Sequence, residues 1–360
     1  MRELVGMSPV IDNIPAMGKG PQRLSVLDGV VGLLASVVLA CAGCGAPAAA
    51  RQPLPYPGAG DVGYVLIQEP RRGLLPRRES CSPSGQVGAR ITMYEVADPD
   101  VTAALIDAHR RGVDTRVLLD AAFQGRATNT KAFDVLSAGG VAVAWAPARV
   151  TRRAWWSMTR PRRWGPATWL PGGIQRDLWL LDSNGADVAA IAETFDADVG
   201  AGRIGGVPAA TAGPHLIWSP GARAAFIRDL DSASRSVDIT SEELTDRAVI
   251  AAIEQVARRG VRCRIVMTQN QASAAAVGEV GAAGCSVHLL AASADSLYMH
   301  AKMLLIDDSR LVIGSQNLSK ASLLENRELS LELDTTTAPK VVAAVAATFD
   351  FDYAHSGGAP

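Results

Sequence analysis

The chain contains two copies of one sequence pattern, and this repeat limits its fold more than any other feature. Ile91-Thr-Met-Tyr-Glu95 in the first copy corresponds to Ile239-Thr-Ser-Glu-Glu243 in the second, 148 positions later. In each copy, short strands rich in Val, Ile and Leu alternate with helices whose apolar residues recur at i, i+3 and i+4, which is typical of β-α-β units. We therefore predict an α/β fold with two similar lobes, each a mainly parallel or mixed sheet flanked by helices.

Further segments of the two copies match in the same order. They are Arg110-Arg-Gly-Val113 with Arg258-Arg-Gly-Val261, Gly140–Val143 with Gly284–Val287, Arg176-Asp177-Leu178 with Arg327-Glu328-Leu329, and Thr194-Phe-Asp196 with Thr348-Phe-Asp350. These matches predict an N-terminal lobe at residues 63–199 and a C-terminal lobe at 214–354. The intervening stretch, 200–213, is rich in Gly, Ala and Pro and is predicted to be a linker.

The composition is that of a folded protein with no strong electrostatic preference. Of the 360 residues, 48% are hydrophobic and 20% are charged, which excludes an intrinsically disordered chain. The formal net charge is −1, so the chain as a whole is not attracted to nucleic acid or to an anionic membrane.

The N-terminal region, residues 1–44, has the pattern of an export signal. Lys19 and Arg23 precede a mostly apolar run at 29–40, which is shorter than the roughly 20 residues that span a bilayer. Small residues follow this run, and the segment around Cys41 and Cys44 resembles a bacterial lipobox, so either cysteine is a candidate for lipidation. A buried helix of the mature fold is the alternative, but the Pro/Ala/Gly-rich tract after it, within a predicted linker at 45–62, favours a signal.

Five cysteines are too few for a disulfide scaffold. If the first two belong to the signal, then Cys81, Cys263 and Cys285 remain. Cys263 and Cys285 lie on two predicted strands of one lobe and could form a disulfide. Small buried residues are the favoured interpretation, because a free cysteine behaves as a small apolar side chain.

The second copy carries a compact string of polar residues between two predicted strands. The string reads H-x-K-x4-D-x6-G-S-x-N, and its members are His300, Lys302, Asp307, Gly314, Ser315 and Asn317. His300 and Lys302 are two positions apart, so on a strand they share one face and can reach the same anionic group. A solvated His-x-Lys triplet without function is the alternative, but the number of specified positions favours an active site.

This string resembles the HKD signature of the phospholipase D superfamily, and the similarity extends over roughly residues 63 to 354. The resemblance implies two facing lobes related by a pseudo-two-fold axis, with the active site at their interface and with no metal or cofactor. It also implies a phosphodiesterase in which a histidine attacks phosphorus. Such an enzyme needs an unprotonated nucleophile, cations around the phosphoryl oxygens and an acid for the leaving oxygen.

The resemblance assigns a role to each residue of the string. His300 would be the nucleophile that forms a phosphohistidine, or else the general acid, and Lys302 would hold the phosphate oxygens. Asp307 would cap the turn after the strand and support the site. Glu328, 28 residues after His300, matches the acid that orients the histidine ring and sets its tautomer. Two further polar side chains would add hydrogen bonds to the phosphate: Ser315 and Asn317.

The first copy lacks an equivalent motif. The repeat places that motif near residues 150–157, but no histidine occurs between His109 and His215, and the stretch 150–164 is rich in Arg, Trp and Pro. One hypothesis is that residues 150–175, and also 71–88, are translated out of frame. Two alternatives remain for 150–164: a poorly packed loop, which is favoured, and a basic-aromatic surface for nucleic acid or anionic lipid.

Three functions follow from these observations. The first is a phospholipase D-like enzyme that acts on phospholipid head groups at a membrane surface, which export and the near-neutral charge favour. The second is an HKD-type nuclease, which is less favoured because the regular parts of the chain offer no basic groove. The third is a catalytically inactive, membrane-associated binding protein. We expect reduced activity in any case, because loss of a positioned general acid costs about 10²–10⁴ in rate.

Overall fold

The computed structural model describes residues 59–69, 88–122, 125–147, 154–157, 174–204, 206–293 and 296–358. The predicted signal at 1–44, with the lipidation candidates Cys41 and Cys44, lies outside the described residues. So does most of the 150–175 stretch, and so does the part of the 71–88 stretch that ends at residue 87.

Within the described residues the chain forms sixteen strands and eight helices. The strands are β1 (Ala59–Asp61), β2 (Tyr64–Glu69), β3 (Gly88–Met93), β4 (Asp114–Leu119), β5 (Ala142–Trp145), β6 (Ala154–Ser157), β7 (Ile174–Asp182), β8 (Leu216–Ser219), β9 (Ser236–Thr240), β10 (Arg262–Thr268), β11 (Ser286–Leu290), β12 (Leu297–Met299), β13 (Lys302–Ile306), β14 (Arg310–Gly314), β15 (Glu328–Asp334) and β16 (Gly357–Gly358). The helices are α1 (Pro99–Arg110), α2 (Ala127–Ala138), α3 (Gly185–Ile204), α4 (Arg223–Ser232), α5 (Arg247–Arg258), α6 (Ala274–Ala282), α7 (Lys320–Leu324) and α8 (Pro339–His355). Among the described helices, none combines the length and the apolar character that crossing a bilayer requires.

The second copy forms one eight-stranded sheet in the order β16-β11-β10-β9-β13-β14-β15-β8. Strands β9, β10 and β11 are parallel, whereas β13 runs antiparallel to β9 and the strands beyond it alternate in direction. Successive side chains of β13 alternate between the two faces of the sheet, as in any strand. Leu304 packs in the core on the α4–α6 side, and Leu305 packs in the core that contains α8. The predicted α/β fold with mixed sheets flanked by helices is thus confirmed.

Helix α5 shows how the local sequence specifies an element of the second copy. Asp246 is its N-cap, and the carboxylate accepts hydrogen bonds from the backbone N–H groups of Ala248 and Val249, 3.1 Å each. Such a cap is worth about 1 kcal/mol. The apolar positions recur on one face of the helix, which packs on the sheet, and the buried ones are Val249, Ile250, Ala252, Ile253 and Val256.

The first copy forms a smaller sheet in the order β5-β4-β3-β6, with β6 antiparallel to β3. Its register pairs Trp155 with Ile91, just as Leu304 pairs with Ile239 in the second copy. The favoured interpretation of 150–164 as a loop is therefore wrong for Ala154–Ser157, because hydrogen bonding to β3 makes them a strand.

The third sheet joins the two copies, and its order is β1-β2-β7-β12. Strand β12 immediately precedes His300 and runs parallel to β7, with Met299 opposite Arg176. The chain therefore reaches the polar string while paired with a strand of the other copy. Helix α3 continues to Ile204, so the first residues of the predicted linker at 200–213 are helical.

Cys263 and Cys285 form a disulfide, with their Cα atoms 4.6 Å apart. Pairing of β10 with β11 sets Arg264 opposite Ser286, so the two cysteines come into register just before it. The favoured interpretation of these residues as separate small buried side chains is therefore wrong. Parallel strand pairing brings together side chains that the sequence places 22 positions apart.

Candidate active site

His300 and Lys302 lie where β12 ends and β13 begins, and each is only 6% exposed. The backbone N–H of His300 donates to the carbonyl of Arg176 at 3.1 Å, which extends the β7–β12 pairing by one residue. The ammonium group of Lys302 donates to the carbonyl oxygen of His300 at 2.6 Å. Strand pairing and this hydrogen bond together hold both side chains at one place, as their spacing predicts.

The carboxylate that orients the His300 ring is Asp177, not Glu328. Oδ1 of Asp177 lies 2.6 Å from Nδ1 of His300, and both side chains are buried. Oε1 of Glu328 instead accepts hydrogen bonds from Ser322 Oγ at 2.5 Å and from Asn326 Nδ2 at 3.1 Å. The predicted role of Glu328 toward His300 is therefore assigned to Asp177.

This arrangement selects the tautomer of His300. An ionised carboxylate only accepts hydrogen bonds, so Nδ1 carries the hydrogen that it donates to Asp177, and the lone pair of the neutral ring is on Nε2. Nε2 faces the other charged groups of the site. The ring is thus held at Nδ1 and presents Nε2 as the nucleophilic nitrogen.

Glu242 is a site residue that the sequence did not single out, although it lies in the matched segment Ile239–Glu243. Its Oε2 lies 2.9 Å from Lys302 Nζ and 3.6 Å from His300 Nε2. Its Oε1 accepts a hydrogen bond from the hydroxyl of Tyr298. Burial alone would raise the pKa of Glu242, but the charge of Lys302, the charge of His300 whenever its ring is protonated, and the hydrogen bonds that Glu242 accepts hold that pKa well below its usual range. Glu242 is therefore an anion at neutral pH.

Asn317 positions the backbone that carries Glu242. Its side-chain oxygen accepts from the N–H of Glu242 at 3.1 Å, and its own N–H donates to Ser322 Oγ at 2.8 Å. Asn270 donates from its side-chain amide to the carbonyl of Glu242 at 2.9 Å. With its oxygen engaged in this way, the amide of Asn317 has its NH₂ group as the donor for a ligand.

Ser315 is a member of the string, but its hydroxyl is hydrogen-bonded to the neighbouring strand. Its hydroxyl donates to the carbonyl of Leu329 at 3.3 Å and accepts from the N–H of the same residue at 3.2 Å. Gly314 precedes it and lies opposite Ser330 of β15, where an added Cβ would lie 2.4 Å from the carbonyl oxygen of Leu329. Glycine is required there because any side chain would force the two strands apart.

Asp307 occupies the turn between β13 and β14 with a φ of 53°, in the left-handed region. Its carboxylate accepts hydrogen bonds from the backbone N–H groups of Ser234, Arg235 and Ser236 at distances of 2.6 to 3.2 Å. Although desolvation opposes it, these hydrogen bonds and the one from the Ser234 hydroxyl lower the pKa of Asp307 to about 2. The carboxylate therefore links the turn between β13 and β14 to the start of β9 through hydrogen bonds.

The other histidines contact groups remote from His300. Nδ1 of His215 lies 2.7 Å from Asp187, and Nδ1 of His288 lies 2.9 Å from the carbonyl of Tyr353. His355 closes helix α8, where its ring contacts the carbonyl of Phe351 four residues earlier, and His109 lies in the last turn of α1. Of the five histidines in the sequence, the described site thus contains His300 alone.

The arrangement can carry out nucleophilic substitution at phosphorus. It supplies a nucleophilic nitrogen oriented by a buried carboxylate and a lysine cation within reach of the same point. It also supplies the NH₂ group of Asn317 as a hydrogen-bond donor. A carboxylate occupies the space in front of the nucleophile, so an anionic substrate must compete with Glu242 for Lys302.

Comparison with known proteins agrees with this geometry. Residues 226–353 match the model of the family described as cardiolipin synthase, PLD-like domain. This match covers the second copy of the repeat, with the whole polar string and Glu242, and does not extend to the first copy. None of the curated proteins matches the chain.

Two solved structures share the fold over most of the chain. Polyphosphate kinase from Porphyromonas gingivalis is 14% identical with a TM-score of 0.57, over 78% of this chain and 46% of the kinase. Phosphatidylserine synthase from Haemophilus influenzae Rd KW20 is 11% identical with a TM-score of 0.57, over 78% of this chain and 84% of the synthase. The phospholipase D family member Nuc from Salmonella typhimurium is 20% identical with a TM-score of 0.36, over 40% of this chain and 95% of Nuc. The chain spans less than half the length of the kinase, and the first two likenesses support the fold.

Proposed function

We propose that this chain, which carries a phospholipase D-like domain over residues 226–353, cleaves or transfers phosphodiesters through a phosphohistidine at His300. The observation that carries the proposal is the 2.6 Å contact between Asp177 and Nδ1 of His300, because it leaves Nε2 as the nucleophile. Nε2 attacks phosphorus, and the P–O bond to the leaving alcohol breaks as that oxygen takes up a proton from solvent water. Water or a second alcohol then attacks the phosphohistidine, loses a proton and releases the ring.

We infer that the substrate is a phospholipid and that the chain acts at a membrane surface. The matching family is named for cardiolipin synthase, which acts on lipids. The net charge of −1 gives no general attraction to a polyanion, so it favours a lipid over DNA. An HKD-type nuclease and a catalytically inactive membrane-binding protein are the alternatives, and neither is favoured by a contact within the site.

The two copies are proposed to form lobes related by a pseudo-two-fold axis, on the evidence of reciprocal ion pairs. Arg176 of the first copy pairs with Asp352 of the second at 2.6 Å, and Arg327 of the second pairs with Asp198 of the first at 2.9 Å. The two arginines occupy matching positions of the repeat, and so do the two aspartates, so each copy donates its arginine to the aspartate of the other. All four side chains are buried. A reciprocal exchange of this kind is what two-fold symmetry produces.

The missing motif of the first copy predicts that the activity is weak. The family uses two histidines, and the sequence has none between His109 and His215. A positioned general acid contributes about 10²–10⁴ in rate, so a loss of that order is expected. Sequencing the encoding DNA tests whether residues 150–175 and 71–88 are out of frame: an uninterrupted frame with no H-x-K in the alternative frame would exclude the hypothesis.

Export to the cell envelope is proposed from two features. The N-terminal 1–44 segment has the pattern of a signal with lipidation candidates at Cys41 and Cys44, and the Cys263–Cys285 disulfide is typical of oxidising compartments. Metabolic labelling with palmitate, in the full chain and in the C41S and C44S variants, tests the anchor. Labelling that survives in both single variants and in the double variant would exclude these cysteines.

The function is tested by incubating the protein with phosphatidylcholine and phosphatidylglycerol, each labelled in the head group, and with DNA. We expect head-group release in wild type, loss of release in H300A, and wild-type release in H355A, which removes an exposed histidine. An acid-labile ³²P adduct on the protein, formed from lipid labelled at phosphorus and absent in H300A, would identify the phosphohistidine.

The same experiment separates the alternatives. Cleavage of DNA and not of lipid, lost in H300A, would establish the nuclease. Equal signals from wild type and H300A on every substrate, combined with retained binding to lipid vesicles, would leave only the binding protein.

A further inference from the structure

The carboxylate of Glu242 occupies the place of a phosphoryl oxygen. A phosphorus atom poised for attack lies about 3–3.5 Å from its nucleophile, so its oxygens lie at a similar distance from that nucleophile. Oε2 of Glu242 is 3.6 Å from His300 Nε2 and 2.9 Å from Lys302 Nζ, which is the distance of a charge-assisted hydrogen bond. One oxygen thus satisfies both distances that a bound phosphate would have to satisfy.

The backbone of Glu242 is fixed by hydrogen bonds, whereas its side chain can rotate toward solvent. Asn317 accepts from the N–H of Glu242 and Asn270 donates to its carbonyl, so the main chain is fixed on both sides. The side chain is 30% exposed, compared with 6% for Lys302. A rotation of this side chain toward solvent therefore vacates the subsite without moving the strand.

From these contacts we propose that Glu242 is a specificity-determining residue that competes with phosphate for Lys302 and selects against doubly charged phosphate. This inference rests on the proposed function, since it assigns a selectivity to the same phosphate subsite. A glutamate side chain that has rotated into solvent stays an anion at neutral pH, because the ordinary pKa of its carboxyl is about 4.3, so the charge of Glu242 persists after the side chain has released Lys302. The subsite therefore holds one cation and a movable anion.

The selectivity follows from Coulomb's law. Repulsion between the nearby carboxylate and the bound phosphate scales with the charge of the phosphate, so a monoester that carries close to two charges is opposed more strongly than a diester that carries one. The substrate of a phosphodiesterase is the diester, and hydrolysis yields the monoester. Glu242 thereby favours entry of the substrate and departure of the product.

The test compares binding of methyl phosphate, a monoester, and dimethyl phosphate, a diester, at about pH 8, where the monoester is close to doubly ionised. Dissociation constants for wild type, E242Q and E243Q come from ³¹P NMR titration. Glu243 is the matched control, because it is the exposed neighbour and, among the described residues, its carboxylate forms no ion pair with Lys302. Binding that depends on Lys302 is identified with the double variant E242Q/K302M. The double variant is used because K302M alone would leave the carboxylate of Glu242 without its cation.

We expect E242Q to bind methyl phosphate at least about tenfold tighter than wild type and to bind dimethyl phosphate only about threefold tighter. E243Q should match wild type for both probes, and E242Q/K302M should lose the gain. Circular dichroism confirms that each variant is folded.

Equal affinities of E242Q and wild type for methyl phosphate, at a site lost on removal of Lys302, would overturn the selectivity and leave the proposed function intact. An equal gain for the two probes would reduce Glu242 to a competitor without charge selection and would also overturn the proposal. Absence of any Lys302-dependent binding of either probe, in wild type and in E242Q, would remove the phosphate subsite and the proposed function together.

Discussion

The carboxylate of Asp177 and the imidazole of His300 lie 2.6 Å apart, although 123 positions separate them. The contact exists because β7 and β12 pair in parallel and end side by side, with Met299 opposite Arg176 one residue earlier. Each copy of the repeat thus contributes one member of the pair, and neither copy alone contains it.

We predict that D177N lowers kcat by about 10²–10⁴, because an amide in place of the carboxylate no longer selects the Nδ1–H tautomer or stabilises the charged ring. Head-group release under saturating substrate measures the effect, and E328Q is the comparison because Glu328 is the acid that the motif spacing suggests. A larger loss in E328Q than in D177N, with both variants folded, would contradict the assignment of Asp177.

Replacement of Asp307 should lower the free energy of unfolding, because Asp307 supports the fold and does not contact the substrate. D307A removes hydrogen bonds from three backbone N–H groups to a charged acceptor and places alanine at a φ of 53°, so we expect the free energy of unfolding to fall by about 2 kcal/mol or more. Urea unfolding measures it. D308A is the matched control, since Asp308 has a similar φ of 55° but only a 3.6 Å contact with Arg262. Equal loss in both variants would show that backbone strain, not hydrogen bonding, dominates.

The stability of the protein should depend on the ionisation of Asp182. Burial, aided by the charge of Asp187 and opposed by the N–H of Asn184 and the charge of His215, raises the pKa of Asp182 to about 7, and the residue is 3% exposed. A folded-state pKa above the unfolded one means that stability is fully present below about pH 4 and is lost as pH rises through 7. D182N removes this titration, so it should stabilise the fold at pH 8 by a few kcal/mol.

Chemical denaturation of wild type and D182N at pH 5, 6, 7 and 8 checks this expectation. D134N is the control, because Asp134 is exposed on α2. A difference between D182N and wild type that stays constant from pH 5 to pH 8 would mean that Asp182 does not titrate in this range.

The buried Arg176–Asp352 pair should tolerate loss of both partners better than loss of one. R176M leaves a carboxylate that is 4% exposed without its arginine, and breaking a buried pair in this way costs about 3–5 kcal/mol. The double variant R176M/D352M should recover much of the loss. The exposed Lys320–Glu325 pair is the control, and K320M should cost less than about 1 kcal/mol. A double variant less stable than R176M would contradict the prediction.

The sequence alone determined the features that depend on local spacing. His300 and Lys302 share a face because they are two positions apart on extended chain, and Asp307 meets a turn because the strand ends there. The α/β fold followed from the periodicity of the apolar residues, which reflects burial on one face of each element. These features need only short-range geometry, which is why they could be predicted.

Only the tertiary structure decided which side chains meet across the sheets. The resemblance implies Glu328 as the partner of His300, but pairing between strands of different copies brings Asp177 there instead. The same holds for Glu242, which reaches Lys302 from the end of β9, and for the Cys263–Cys285 disulfide. Strand order and register are set by the packing of the whole core and have no signature in the spacing of one segment, so contacts of this kind had to be observed.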